Sequence, residues 1–94
     1  MTSTRTEPRQ IDWIAAALYQ GHRLTPLVAA TRYGIMSLTS RIAELRHEYG
    51  LPIVATSHVD LDHTRYKSYT GFSLAFCRRY EQLVKQGRLQ KVSL

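Results

Sequence analysis

The stretch HVDLDH, from His58 to His63, holds the side chains best suited to chemistry. Two aspartates, Asp60 and Asp62, stand two positions apart between two of the four histidines of the chain. Aspartate and histidine ligate metals and transfer protons. A metal site would need further ligands, and His22 and His47 lie in other predicted elements. The run DLDHT is also typical of a turn, whose backbone N–H groups the carboxylates would cap. We therefore predict a turn here, without metal or cofactor.

Other signs of catalysis are weak in this sequence. We find no Gly-rich phosphate loop, no Cys-x-x-Cys motif and no Ser–His–Asp arrangement with a supporting motif. Cys77 is the single cysteine, so no intrachain disulfide is expected and a cytoplasmic location is the default. The first ten residues lack an apolar signal region, and no apolar run approaches the roughly 18 residues that span a bilayer. We expect a chain that is not an enzyme and has no membrane partner.

The charge of the chain favours an anionic partner. The 94 residues carry a net charge of +6, and the isoelectric point is about 9.9. Ten of the thirteen cationic residues are arginines, whose planar guanidinium suits phosphates and guanine edges. Nucleic acid is the commonest partner of such a basic protein, and an acidic protein surface is the alternative.

Apolar periodicity predicts four helices and two strands, which form a single domain. Three helical stripes come first, then two β-branched segments flanking DLDHT, then a further helix. The predicted bounds are helices at 8–20, from Thr25-Pro26 to Gly34, and from 36 or 37 to Gly50, strands within 51–59 and 65–72, and a helix at 74–86. This order, α-α-α-β-β-α, is mainly α with a small β-hairpin, an α+β class. We divide the chain into a flexible arm at 1–7, a domain at 8–73, and a C-terminal helix and tail at 74–94.

Three helices followed by a hairpin form the winged helix-turn-helix plan, in which the third helix enters the major groove and the hairpin contacts the backbone. The sequence resembles the small winged helix-turn-helix proteins of phages and prophages over roughly residues 10 to 70. The residues that carry the resemblance are Leu24-Thr25-Pro26-Leu27, Ala30, Tyr33-Gly34, Leu38, Arg41-Ile42, Leu45-Arg46, Gly50 and Ile53. The resemblance implies double-stranded DNA binding and transcriptional control. The family often has an acid at the position of Val28, which would complete a capping box with Thr25, so we expect a less firm start to helix 2.

Helical geometry predicts which residues face DNA. With Leu38, Ile42 and Leu45 inward, the outer and flanking positions of helix 3 and one face of the second strand form the predicted DNA-binding set. That set is Ser37, Thr39, Ser40, Arg41, Ala43, Arg46, His47, Arg65 and Lys67. Glu44 on the same face is unfavourable beside a polyanion, unless it accepts from a cytosine amino group or pins a neighbouring arginine. The alternatives are a merely solvated helix face and an edge strand protected by charge.

The salt dependence of binding follows from the number of cations that meet phosphates. The N-terminal arm could add Arg5 and Arg9 to Arg41, Arg46 and the two cations of the wing. Such a set predicts a slope of log K against log salt of roughly −4 to −6 per protomer.

The C-terminal helix leaves two arrangements open. Phe76, Tyr80, Leu83 and Val84 form an apolar side, and Trp13 on helix 1 lacks an obvious partner. The helix could fold back over Trp13 in its own chain, or these residues could form a homodimer or docking surface.

A second function also stays open, a winged-helix interaction module that binds and inhibits a host protein. Glu44 and the acidic hairpin tip favour that alternative. The positive charge and the serine and threonine residues at the start of helix 3 favour DNA.

Overall fold

A computed structural model describes residues 8–71 and 73–92 of the chain. Its elements are α1 (Gln10–Tyr19), α2 (Pro26–Tyr33), α3 (Leu38–His47), β1 (Val54–Val59), β2 (Arg65–Thr70) and α4 (Leu74–Lys85). The predicted order α-α-α-β-β-α is confirmed, although α1 and α3 are each shorter than predicted. Arg9 and Ser37 stand outside them as N-caps, and α3 ends at His47, with Glu48 as its C-cap, before the predicted Gly50. The predicted arm at 1–7 lies outside the described residues. None of the helices described is both long enough and apolar enough to cross a membrane.

The turn between α2 and α3 forms as its residue types require. The Thr25 hydroxyl caps α2 by accepting from the Val28 N–H at 3.1 Å, so the cap forms without an acid at position 28. Gly34 ends α2 in the left-handed region with φ of 69°, which glycine adopts without steric cost. Ile35 follows and is buried, which fixes the turn to the core.

The two strands form an antiparallel hairpin, called the wing below. Its register runs from Val54 opposite Thr70 to Val59 opposite Arg65. Leu24 adds a contact that the sequence did not indicate, because it pairs with Tyr69 through two backbone hydrogen bonds of 2.9 and 2.7 Å. This one-residue bridge fastens the base of the wing to the segment that starts α2. A single residue carries no alternation pattern, so the sequence offered no signal for it.

One core holds the helices together. The predicted inner stripe of α3, Leu38, Ile42 and Leu45, is buried in one core with residues of α1 and with Leu51 and Ile53, which precede β1. A core side chain of this size contributes about 1.5–3 kcal/mol when it leaves water. This packing fixes which side of α3 faces outward.

Helix α4 folds back on its own chain. Phe76, Tyr80 and Leu83 belong to the same core as α1 and are buried, so they do not offer a dimer or docking surface. Tyr80 stacks on Tyr19 with ring centroids 4.4 Å apart. The Tyr19 hydroxyl donates to the Glu81 carboxylate, and this hydrogen bond raises the pKa of Tyr19 to about 12.

The two remaining residues of that predicted surface are only partly exposed. Trp13 and Val84 pack against the core. The Trp13 ring lies 6.3 Å from the ring of Tyr33, so an aromatic partner for Trp13 comes from α2. Of the two arrangements left open by the sequence, α4 is therefore the helix folded back within its own chain, and the homodimer or docking surface is not observed among the described residues.

A buried carboxylate ties the C-terminal tail to the start of α1. Asp12 is fully buried and accepts from the backbone N–H groups of Arg9 and Gln90, each at 2.8 Å. The Arg9 guanidinium donates to Asp12 and to the Arg88 carbonyl, and the bond to Asp12 raises the pKa of Arg9. Arg9 is therefore held within the fold and does not belong to the loose basic arm that we expected. Leu89, next to Gln90, is buried in the core.

Candidate nucleic-acid interface

The outer face of α3 is polar, exposed and formed by small side chains. Thr39, Ser40 and Ala43 are exposed, as is His47 in the last turn. Ser37 is the N-cap residue of α3, yet its hydroxyl makes no capping hydrogen bond. Short side chains and hydroxyls at the start of a helix allow close approach to phosphates or base edges. These five residues lie where the sequence predicted them.

Arg41 and Glu44 form an ion pair on this face. The Arg41 Nη1 lies 3.2 Å from the Glu44 Oε1, one helical turn away. The Arg41 Nε is buried and has no hydrogen-bond partner among the described residues. Glu44 thus pins a neighbouring arginine, one of the two roles that would offset its cost on a DNA-facing surface. The Glu44 carboxylate neutralises the Arg41 guanidinium, which would otherwise be available to a phosphate.

Arg46 connects α3 to the wing. Its Nε and Nη2 donate to the Ile53 carbonyl at 3.2 and 2.8 Å, immediately before β1 begins. Because the planar guanidinium donates both bonds to one carbonyl, it holds the segment that enters β1 in a defined position relative to α3. Nothing in the sequence pattern links a helical arginine to a loop carbonyl seven residues later, so this role was missed.

Other arginines are also engaged by backbone carbonyls. Arg79 donates to the Tyr49 carbonyl and Arg88 to the Glu48 carbonyl, each at 2.8 Å. The Arg88 guanidinium also lies over the Tyr49 ring, 5.1 Å from its centroid. These bonds satisfy carbonyls at the end of α3. The net charge therefore overstates the number of cations that are available to an anionic partner.

The wing has one face that carries its cations. Directly opposite residues in an antiparallel pair share a face, and Lys67 lies opposite Ser57 while Arg65 lies opposite Val59. We call these four residues the basic face. All four are exposed. The prediction that Arg65 and Lys67 share one face is confirmed.

The other side of the wing is aromatic and acidic. His58 stacks on Tyr66 with ring centroids 5.0 Å apart, and its Nε2 lies 2.8 Å from the Ser68 hydroxyl. Asp60 stands opposite Thr64, whose carbonyl accepts from the Asp60 N–H at 2.8 Å. We call His58, Asp60, Thr64 and Tyr66 the aromatic face. Strand alternation places it opposite the basic face.

The acidic tip is a turn, as predicted. The Asp60 Oδ1 accepts from the Leu61 N–H at 3.1 Å, and the Asp62 Oδ1 accepts from the Thr64 N–H at 3.0 Å. Hydrogen bonds from the side chain and backbone of Thr64 lower the pKa of Asp62. His63 adopts a left-handed backbone with φ of 66° to close the turn. Within residues 8–71 and 73–92, no three His, Cys, Asp or Glu side chains are grouped to hold a metal ion.

A comparison with protein-family models gives a match that covers most of the chain. The model described as a winged helix-turn-helix domain matches residues 9–75. The matched span contains α1, α2, α3 and the whole wing, and it ends at the second residue of α4. The searches of curated proteins and of solved structures gave no match.

Proposed function

Since the chain belongs to the winged helix-turn-helix domain family, we propose that it binds double-stranded DNA in a sequence-specific manner and regulates transcription. The phage or prophage setting of this proposal rests on the sequence resemblance. The observation that carries the proposal is the outer face of α3, which is exposed, free of bulky apolar side chains and held by a buried stripe beneath it. A helix of this shape fits the major groove of B-form DNA.

Each part of the interface has a distinct task. The hydroxyls of Ser37, Thr39 and Ser40 donate to phosphates or touch base edges near the start of α3. Ala43 offers a methyl group that suits a thymine methyl. On the wing, Arg65 and Lys67 bind the flanking phosphates and fix the position of α3 without reading sequence.

The acidic tip is compatible with this binding mode. Asp60 belongs to the aromatic face, so a phosphate backbone that meets the basic face lies on the other side of the wing. The Asp60 and Asp62 carboxylates each accept a hydrogen bond from a backbone N–H group of the turn. The Glu44 carboxylate is paired with the Arg41 guanidinium. Glu44 therefore no longer favours binding to a host protein over DNA binding, and the acidic tip is compatible with DNA binding through the basic face.

The contacts within the fold change the expected salt dependence. Arg9 and Arg46 hold backbone carbonyls and Arg41 is paired with Glu44, which leaves Arg65 and Lys67 as the described interface cations that are free to bind phosphate. At about −0.9 in log K per neutralised phosphate, these two give a slope of about −2 per protomer. This is shallower than the slope expected from the sequence.

Because the apolar side of α4 is buried, any homodimer on two half-sites would use another surface.

The test compares two exposed arginines in a fluorescence anisotropy titration against duplex DNA. Arg65→Ala is expected to weaken binding to all sequences alike and to flatten the salt slope by about 1. Arg78→Ala, on the exposed side of α4, is the charge-matched control and is expected to leave the slope unchanged. An equal loss in both variants would contradict the assignment of the wing. Selection from random duplexes tests specificity, and failure to enrich any common sequence would contradict sequence-specific binding.

A further inference from the structure

A groove of about 420 Å³ separates the start of α2 from the aromatic face of the wing. It lies beside α2 because the bridge from Leu24 to Tyr69 holds the beginning of that helix along β2. The residues that line it are Thr25, Pro26, Leu27, Asp60, Thr64 and Tyr66. Its volume falls within the range of sites that hold a small molecule or a short peptide.

The walls of the groove expose apolar surface to an unusual degree. The Leu27 side chain is 71% exposed and Tyr66 is 39% exposed, although both are large. A single exposed leucine is ordinary on a protein surface. Here Leu27, Pro26 and Tyr66 line one concave site, and exposed apolar residues that converge in this way mark an interaction surface.

The charge of the groove is opposite to that of the protein. Asp60 is the one charged group among the described residues that line it, while the chain as a whole carries +6. Phosphate is therefore repelled from this site, and the cations of the wing point to the opposite face. A cationic group on a partner would complement Asp60.

We propose that this groove docks a segment of a partner protein, which inserts one apolar side chain between Leu27 and Tyr66 and places a lysine or arginine beside Asp60. The inference goes beyond DNA binding and does not depend on it. The site suits a peptide segment better than a second copy of the chain, because a stable protein interface buries roughly 800 Å² on each partner and this groove holds one anchor. The +6 charge of each copy also opposes self-association.

The first experiment titrates isotope-labelled protein with two capped dipeptides, acetyl-leucyl-arginine amide and acetyl-leucyl-glutamate amide, and follows backbone amide resonances. Saturable shifts are expected at Leu27, Asp60, Thr64 and Tyr66, with a dissociation constant of about the millimolar range. The arginine peptide is expected to bind about twofold to fivefold more tightly, which is the scale of an exposed ion pair. Shifts confined to other residues, or no saturation, would overturn the proposal.

Matched variants test the role of the charge. Asp60→Asn keeps an oxygen that can accept from the Leu61 N–H, so the turn is retained while the charge is removed. This variant is expected to lose the preference for the arginine peptide. Asp62→Asn removes the other tip charge, which does not line the groove, and is expected to keep the preference. The same preference in all three proteins would refute the assignment of Asp60.

Two further titrations separate the partner segment from other occupants. If a short DNA duplex shifts the groove amides as strongly as those of Arg65 and Lys67, the groove faces DNA and the proposal is wrong. If the groove amides shift when the protein concentration alone is raised, a second copy is the occupant and the proposal is again wrong. Failure of DNA to bind at all would contradict the proposed function and leave the peptide result standing.

Discussion

Replacing Glu44 by glutamine should strengthen the binding of random duplex DNA. In the structure Glu44 holds Arg41 at 3.2 Å on the outer face of α3, and both side chains are partly exposed. Glutamine is nearly the same size, so the variant removes one negative charge without opening a cavity. It leaves the Arg41 guanidinium available to a phosphate and removes a group that repels the polyanion.

The magnitude follows from counterion release. One additional phosphate contact steepens the salt slope by about 0.9 and raises affinity roughly eightfold at 0.1 M salt. The cost to the fold is small, because an exposed helical pair at this spacing contributes about 0.2–0.5 kcal/mol. The variant should therefore remain folded and bind DNA more tightly, with less dependence on sequence.

The assay is an anisotropy titration of wild type and variant at several salt concentrations. Glu81→Gln makes the same change in net charge on α4, where Glu81 accepts from Tyr19, and serves as the control. The control is expected to change affinity little. An unchanged or weaker affinity in Glu44→Gln would refute the reasoning, and an equal gain in both variants would show that overall charge alone is responsible.

Three further changes test the contacts that support the interface. Arg46→Ala should lower the free energy of unfolding by about 1–2 kcal/mol in urea titrations, since it leaves the carbonyl before the wing unpaired; no loss would remove its structural role. Asp12→Asn should cost about 2–3 kcal/mol and accelerate amide exchange at the tail, because a buried acceptor for two backbone N–H groups loses its charge; unchanged exchange would contradict the tie. An NMR titration should place the pKa of Asp62 below its ordinary value of about 3.9, and Thr64→Val should raise it. Because the folded pKa is the lower one, the stability that Asp62 contributes is present above the unfolded pKa and is lost as pH falls through the folded pKa; an unshifted pKa in wild type would contradict the turn geometry.

Sequence reasoning succeeded where a pattern repeats over several turns or residues. The stripe Leu38, Ile42 and Leu45 identified the buried side of α3, and strand alternation put Arg65 and Lys67 together. Both predictions rest on geometry that is local to one element, and the structure confirms them because folding does not alter that local geometry. The role of Asp60 and Asp62 in the turn was predictable for the same reason.

Contacts between distant segments were not predictable. The bridge of Leu24 to Tyr69 and the bonds of Arg46 to Ile53 join residues that no periodicity relates. The sequence left open whether α4 packs over Trp13, whereas the ring beside Trp13 belongs to Tyr33 of α2. From the sequence alone an arginine counts as a free cation. Only the fold shows whether its guanidinium already donates hydrogen bonds to a backbone carbonyl.

The most direct test of DNA binding is the salt dependence of wild-type protein on random duplex DNA. At about 50 mM salt, binding is expected at micromolar protein, because the sequence-independent phosphate contacts act there. Affinity should then fall with rising salt along a slope of about −2 in log K against log salt per protomer. Absence of binding at micromolar protein and low salt, or binding that does not respond to salt, would contradict a basic wing and an α3 that contact DNA.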